Sequence, residues 1–126
     1  SSNDNTGKLT NRGHSFKEFV DCLYKLEKTN IKVCVHILNG IPYETTDDML
    51  KTIKDINHLP FEGIKIHMLH IIKNTKMGML HEIKPFNLIS RDEYIELVVK
   101  QLELLKPEIV VQRLTGDPMK DNFLAP

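Results

Sequence analysis

Residues 31–44 read IKVCVHILNGIPYE, and how this stretch is read decides the fold. Ile31, Val33, Val35 and Ile37 alternate with Lys32, Cys34, His36 and Leu38. A strand built from them has one apolar face and one mixed face. The alternation breaks at Gly40-Ile41-Pro42, a turn sequence. Thr45 then opens a helical pattern with Asp48 three residues on, the signature of a reciprocal N-cap. The unit is strand, tight turn, helix. In parallel α/β folds, ligands gather at the loops that follow the C-terminal ends of strands.

Working outward, residues 1–14 form a polar leading segment with two glycines, expected to have little structure of its own. Ser15 with Glu18 is a second reciprocal cap, and Phe16, Phe19, Val20, Leu23 and Leu26 share one face of the helix it starts. The helix after Thr45 is expected to run to about Asn57, burying Met49, Leu50, Ile53 and Ile56, and to stop at His58-Leu59-Pro60. Gly63–Ile72, GIKIHMLHII, reads as a second strand. Its near-continuous apolar character fits a central parallel strand covered on both faces. Residues 73–89 show no clear period and are expected to be a long functional loop, with Met77, Met79 and Phe86 either packing over substrate or anchoring the loop. Ser90 with Glu93 caps a third helix, whose predicted buried face is Tyr94, Ile95, Val98, Leu102 and Leu105. Glu108–Leu114 is a third strand, Thr115-Gly116-Asp117-Pro118 a turn, and residues 115–126 an irregular tail.

This order predicts an α/β fold, a partial (β/α) TIM-like barrel of about three parallel strands alternating with three helices. Helices on one face of three strands leave the other face uncovered, carrying Lys32, His36 and either His67 or His70. Such a face is expected in part of a larger barrel.

Seventeen basic and 17 acidic residues among 126 cancel to a formal net charge of zero, so charge alone gives no reason to propose a nucleic acid or an anionic membrane as partner. No apolar run approaches the ~20 residues of a membrane span. The polar start lacks the apolar core of a signal peptide, and the expected location is cytoplasmic. Cys22 and Cys34 form no CxxC and read as reduced core thiols.

Asn11-Arg12-Gly13-His14, HILNGIPYET, GIKIHMLHIIKNT, SRDEYIELV and EIVVQRLTGD, in this order and at these spacings, resemble the C-terminal half of radical S-adenosylmethionine enzymes. The likeness is to an uncharacterised bacterial group similar to the Elongator catalytic subunit and, more distantly, to oxygen-independent coproporphyrinogen III oxidase. The resemblance implies a barrel in which a 4Fe-4S cluster holds S-adenosylmethionine, and reductive cleavage yields a 5′-deoxyadenosyl radical that abstracts hydrogen from substrate. It also implies cluster ligands in a CxxxCxxC motif, which this sequence lacks. The chain starts roughly where the family's fourth strand ends, so it is expected to be a fragment without the cluster half and inactive as it stands.

Carried over residue by residue, the resemblance gives Arg12 the methionine carboxylate, which a guanidinium fork suits. It sets His36 at the ribose position, where the porphyrinogen oxidase has an aspartate. Leu38 and Gly40 flank adenine, with Met68, Leu69 and His70 near the same base, while Glu44 braces the turn. Without the resemblance, Arg12 is a surface arginine and His36 a hydrogen-bonded interior histidine. His67 and His70, three apart in a strand, are expected on opposite faces, unable to chelate one metal. Gln112, Arg113 and Asp117 fall at the last strand's C-terminal end, where Arg113 and Asp117 read as a local ion pair. The substrate is open; the Elongator-like relatives point toward tRNA, which the neutral charge does not support. The alternative is a stand-alone α/β binding or dimerisation module without radical chemistry. In either case an uncovered half-barrel is expected to self-associate.

Overall fold

The computed structural model describes residues 1–116 and 122–126. Three of its helices start at the capping boxes read from the sequence. In α2 (Phe16–Glu27) the Ser15 hydroxyl accepts from the Glu18 amide, while the Glu18 carboxylate accepts from the Ser15 amide at 2.7 Å. The same exchange starts α3 (Thr46–Ile56) at Thr45 and Asp48, and α5 (Arg91–Leu104) at Ser90 and Glu93. Each box satisfies amides that a helix N-terminus otherwise leaves unpaired.

β1 (Cys34–Asn39), β2 (Gly63–Met68) and β4 (Val110–Arg113) form a parallel sheet with β2 in the centre. β1 and β2 run in unbroken register from Cys34↔Gly63 to Asn39↔Met68. β4 pairs Val110 with Gly63 and Val111 with Ile64, then slips so that Arg113 lies opposite Lys65. Gln112 is therefore an extra residue, a bulge on β4. Val35, Ile37, Ile64 and Ile66 project from one face of the sheet into a core with Leu23, Ile53, Ile56, Tyr94 and Val98. Met49, Thr52, Ile53 and Ile56 form the buried stripe of α3, spaced i, i+3, i+4, i+7 as an amphipathic helix requires. The mixed α/β fold with three parallel strands is thus the one expected.

On α5 the buried stripe is Tyr94, Leu97, Val98 and Gln101. Ile95, expected inside, is 52% exposed, because it lies one residue off that stripe. Gln101 is wholly buried and trades two hydrogen bonds with Asn39: Asn39 Nδ2 donates to Gln101 Oε1 at 2.8 Å and Gln101 Nε2 donates to Asn39 Oδ1 at 3.0 Å. Gln101 Nε2 also lies 3.2 Å from the Met49 carbonyl, so one polar knot joins β1, α3 and α5.

Several stretches are more ordered than the sequence implied. The leading segment contains α1 (Asp4–Leu9), capped by the Asn3 side chain, which accepts from the Asn5 and Thr6 amides. The first strand starts at Cys34; Ile31 is 59% exposed. β2 stops at Met68, and the chain resumes as β3 (Ile71–Ile72), paired antiparallel with β5 (Phe123–Ala125), so the tail is not irregular throughout. Residues 73–89 contain α4 (Lys76–Ile83), started by Thr75, whose hydroxyl accepts from the Gly78 amide at 3.0 Å. Cys22 is exposed on α2 and so is no core thiol, whereas Cys34 is half-buried. Asp117 and Pro118 of the expected turn lie outside the described residues.

Gln101→Leu is expected to lower stability by about 1–3 kcal/mol, since it orphans the buried Asn39 amide. The double variant with Asn39→Leu should lose less than the two single losses summed. Urea melts of the four proteins measure this coupling.

Candidate functional site

The C-terminal ends of β1 and β2 converge at Gly40 and Leu69. The Leu69 amide donates to the Asn39 carbonyl at 2.8 Å, extending the ladder by one residue beyond β2. Gly40 has φ +80°, a conformation that a side chain strains. A Cβ there would lie 3.9 Å from Leu69 Cβ and only 3.0 Å from Ile89, which closes over the turn from the end of the 73–89 connection. Leu38 stands in register with His67 on the face away from the helices. Leu38, Gly40 and Leu69 are thus brought to one end of the sheet.

A cavity of about 360 Å³ opens beside β1, lined among others by Arg12, His36, Leu38, Phe16, Phe19 and Ile41. It falls within the ~300–1,000 Å³ of small-molecule sites. Val35 and Ile37 line it too, although they project from the opposite face to His36 and Leu38. Residues from both faces share one cavity because it runs along the unpaired edge of β1. Arg12, His36 and Leu38 are therefore brought together as a group, with Gly40 and Leu69 beyond the strand's end.

Arg12 is already engaged. Its Nη2 donates to Asp4 Oδ1 at 2.6 Å, Nη1 to the Ser1 carbonyl at 2.7 Å and Nε to the His14 carbonyl at 2.8 Å. The guanidinium lies on Gly7, where a Cβ would approach within 2.8 Å. These bonds take three of the five guanidinium donors, and one N–H on each Nη is left for a ligand carboxylate. Glu44 bonds the Ser1 hydroxyl through its side chain and the Ile41 carbonyl through its amide at 3.1 Å, holding the turn as expected.

His36 is exposed, not an interior residue. Its ring centroid lies 5.3 Å from that of His67, and both rings stand on the uncovered face. His70 was expected to oppose His67. The strand ends at Met68, so the alternation rule lapses, and both rings approach Gly116: a Cβ on Gly116 would lie 3.5 Å from His67 Nδ1 and 4.0 Å from His70 Cε1. His70 also meets the Phe123 ring edge-on at 5.5 Å. Burial holds His67 below the usual imidazole range, and the charges of His36, Arg113, Lys65 and His70 add to the effect. Lys32 lies at the other end of the sheet, near the start of β1, where it pairs with Glu62 at 3.2 Å. Lys65 escaped sequence reasoning because only the β2–β4 register sets it beside Arg113.

Among the described residues, no group of three or more His, Cys, Asp or Glu side chains could hold a metal ion. The whole chain has two cysteines, one exposed on α2 and the other on β1. The three thiolates of a CxxxCxxC cluster site therefore have no seat here. No helix among the described residues is long and apolar enough to cross a membrane.

Residues 61–126, a little over half of the chain, match the family model described as Radical_SAM C-terminal domain. The chain is similar to the uncharacterised protein YtqA of Bacillus subtilis (strain 168), 42% identical over 123 residues, which cover 98% of this chain and 38% of that protein. It is also similar to an uncharacterised protein of Methanocaldococcus jannaschii, 31% identical over 118 residues covering 94% of this chain and 37% of that one. The solved archaeal Elp3 of Methanocaldococcus infernus with an N-terminal deletion matches in fold, with TM-score 0.89 over 99% of this chain and 30% of that chain, at 20% identity. The chain thus spans about two fifths of the length of the curated relatives it matches.

Tyr94 ties the end of β4 to α5, its hydroxyl donating to the Leu114 carbonyl at 2.6 Å. Burial pushes its phenol from the ordinary 10.0 up to about 12. The fold favours the protonated form, so this group's stabilising contribution is complete below pH 10 and fades as pH climbs through about 12. Subtracting the ultraviolet titration of Tyr94→Phe from that of the parent should isolate one phenol ionising near pH 12.

Proposed function

This chain belongs to the Radical_SAM C-terminal domain family, and we propose that it supplies one wall of an S-adenosylmethionine pocket while the cluster ligands lie outside residues 1–126. Membership implies S-adenosylmethionine and a 4Fe-4S cluster in full-length relatives. When bound, that pair supplies reductive cleavage of the sulfonium. Within these residues the work is binding and shielding. Leu38 and Leu69 offer apolar surface to adenine. Gly40, lacking a side chain, keeps the strand's end open. His36 stands at the rim with ring nitrogens for hydroxyl groups, Arg12 lines the cavity that His36 and Leu38 share, and His70 lies beyond it, beside Gly116. The 73–89 connection, whose Ile89 lies over Gly40, contributes to the substrate side at the strand's end. The observation that carries this reading is the convergence of Leu38, Gly40 and Leu69 at the ends of two parallel strands, where α/β folds place ligands.

On this reading the chain alone binds S-adenosylmethionine weakly and has no radical activity, because the residues that would hold the cluster lie outside 1–126. Titration with S-adenosylmethionine should shift the backbone amide signals of Leu38, Gly40 and Leu69 in nuclear magnetic resonance spectra. Binding at micromolar affinity or tighter by calorimetry would show this division of the pocket to be wrong.

A second reading, an interaction module, is favoured by the outer edge of the sheet. Val110 is 61% exposed on β4, and its neighbours Val111 and Leu114 are exposed with it. An unpaired apolar edge is a template for another strand. Light scattering is expected to show a dimer that Val110→Lys dissociates; a parent that stays monomeric at high concentration removes this reading.

A further inference from the structure

The chain is neutral overall, yet its cations are unevenly matched. Arg12, Lys17, Lys32, Lys51, Arg91 and Lys100 each pair with a carboxylate within 3.2 Å. Of the described cations without such a pair, the sheet register sets two, Lys65 and Arg113, side by side. His67 lies two residues along β2 from Lys65, on the same face, with His36 5.3 Å away across the β1–β2 ladder and His70 beyond Gly116. Its Nε2 is shielded from water and has no hydrogen-bond partner among the described residues. A buried ring nitrogen without a partner is rare in a folded protein. Two neighbouring cations that no carboxylate among the described residues offsets repel each other, weakly where water screens them, and an anion between them removes that repulsion.

We propose that Lys65, His67 and Arg113 form a seat for a phosphoryl group of the substrate, on the β2–β4 half of the uncovered face. The proposal deepens the reading of this face as a pocket wall: the cofactor takes the β1 side and the substrate's anion the β4 side. A guanidinium fork and an ammonium suit a tetrahedral dianion, the first by parallel donors and the second as a point charge. His67 Nδ1, facing Gly116, contributes a further polar group. Gly116 leaves this approach open because it adds no side chain in front of either ring.

The test is a titration of the purified chain at neutral pH with inorganic phosphate, followed through the imidazole resonances of His36, His67 and His70. Sodium chloride and sodium acetate at matched ionic strength serve as comparisons. Phosphate should shift the His67 signals saturably, and Lys65→Gln and Arg113→Gln should each weaken its binding about tenfold. Lys32→Gln, at the other end of the sheet, should bind as the parent does. An equal response to chloride reduces the site to general screening, and an equal response to acetate gives it to a carboxylate; either overturns the proposal. Unchanged affinity in the Lys65 and Arg113 variants overturns it as well. Adding S-adenosylmethionine to the same samples reads the amides of Leu38, Gly40 and Leu69 separately. Silence there removes the cofactor reading without touching the phosphate result.

Discussion

The reciprocal amide pair between Asn39 and Gln101 is the contact on which the geometry of this chain turns. Two side-chain amides, buried at 2% and 0% exposure, satisfy each other with no water between them. In a low-dielectric interior such a pair tolerates little displacement, because each lost bond leaves a desolvated donor or acceptor behind. Asn39 is the last residue of β1, and its own carbonyl receives the Leu69 amide. The position of Gly40, the direction of the chain into α3 and the meeting of the β1 and β2 ends all follow from where that asparagine is held. An apolar residue at either position would pack, but without fixing the rotation of the strand's end.

The sheet is asymmetric for a simple reason. β1 and β2 give their β-branched residues to one face, where α2, α3 and α5 cover them, and that leaves Cys34, His36, Leu38, Lys65 and His67 for the other. Nothing within the described residues roofs this second face. Charge collects there because it is the only side of a central strand on which lysine and arginine head groups keep access to water or to a ligand. The neutral composition of the chain conceals this, since acidic residues sit mainly at helix starts and in pairs along helix flanks.

What the sequence made legible were the features with local physics. Ser15–Glu18, Thr45–Asp48 and Ser90–Glu93 announce their helices because a capping box spans only four residues. Val35–Ile37 and Ile64–Ile66 announce strands because pleating has period two. α1 and α4 are short and lack an apolar stripe, so their caps at Asn3 and Thr75 had no periodic signal behind them. β5 pairs with a strand some fifty residues earlier, and three residues carry too little alternation to predict it. Gln101 was hidden for another reason: a polar residue on the buried stripe looks like a surface position until Asn39 is known to face it. For the candidate site, Leu38, Gly40 and Leu69 follow from the strand ends and do meet. His67 and His70 were separated by an alternation rule applied two residues past the strand's end, and Lys65 could be set beside Arg113 only by register.

The bulge at Gln112 has a consequence for how this site can change over time. In an unbulged β4, alternation from Val111 would set Gln112 opposite Lys65 and turn Arg113 toward the helices. The extra residue reverses that parity. The charge beside Lys65 therefore depends on the strand's register as well as on the arginine itself. Regular pairing of the same residues would exchange a guanidinium for a carboxamide at the pocket wall while leaving every amino acid in place. Relatives that pair this strand without the bulge would diverge in ligand chemistry without a single substitution, and a comparison of sequences alone would hide the change.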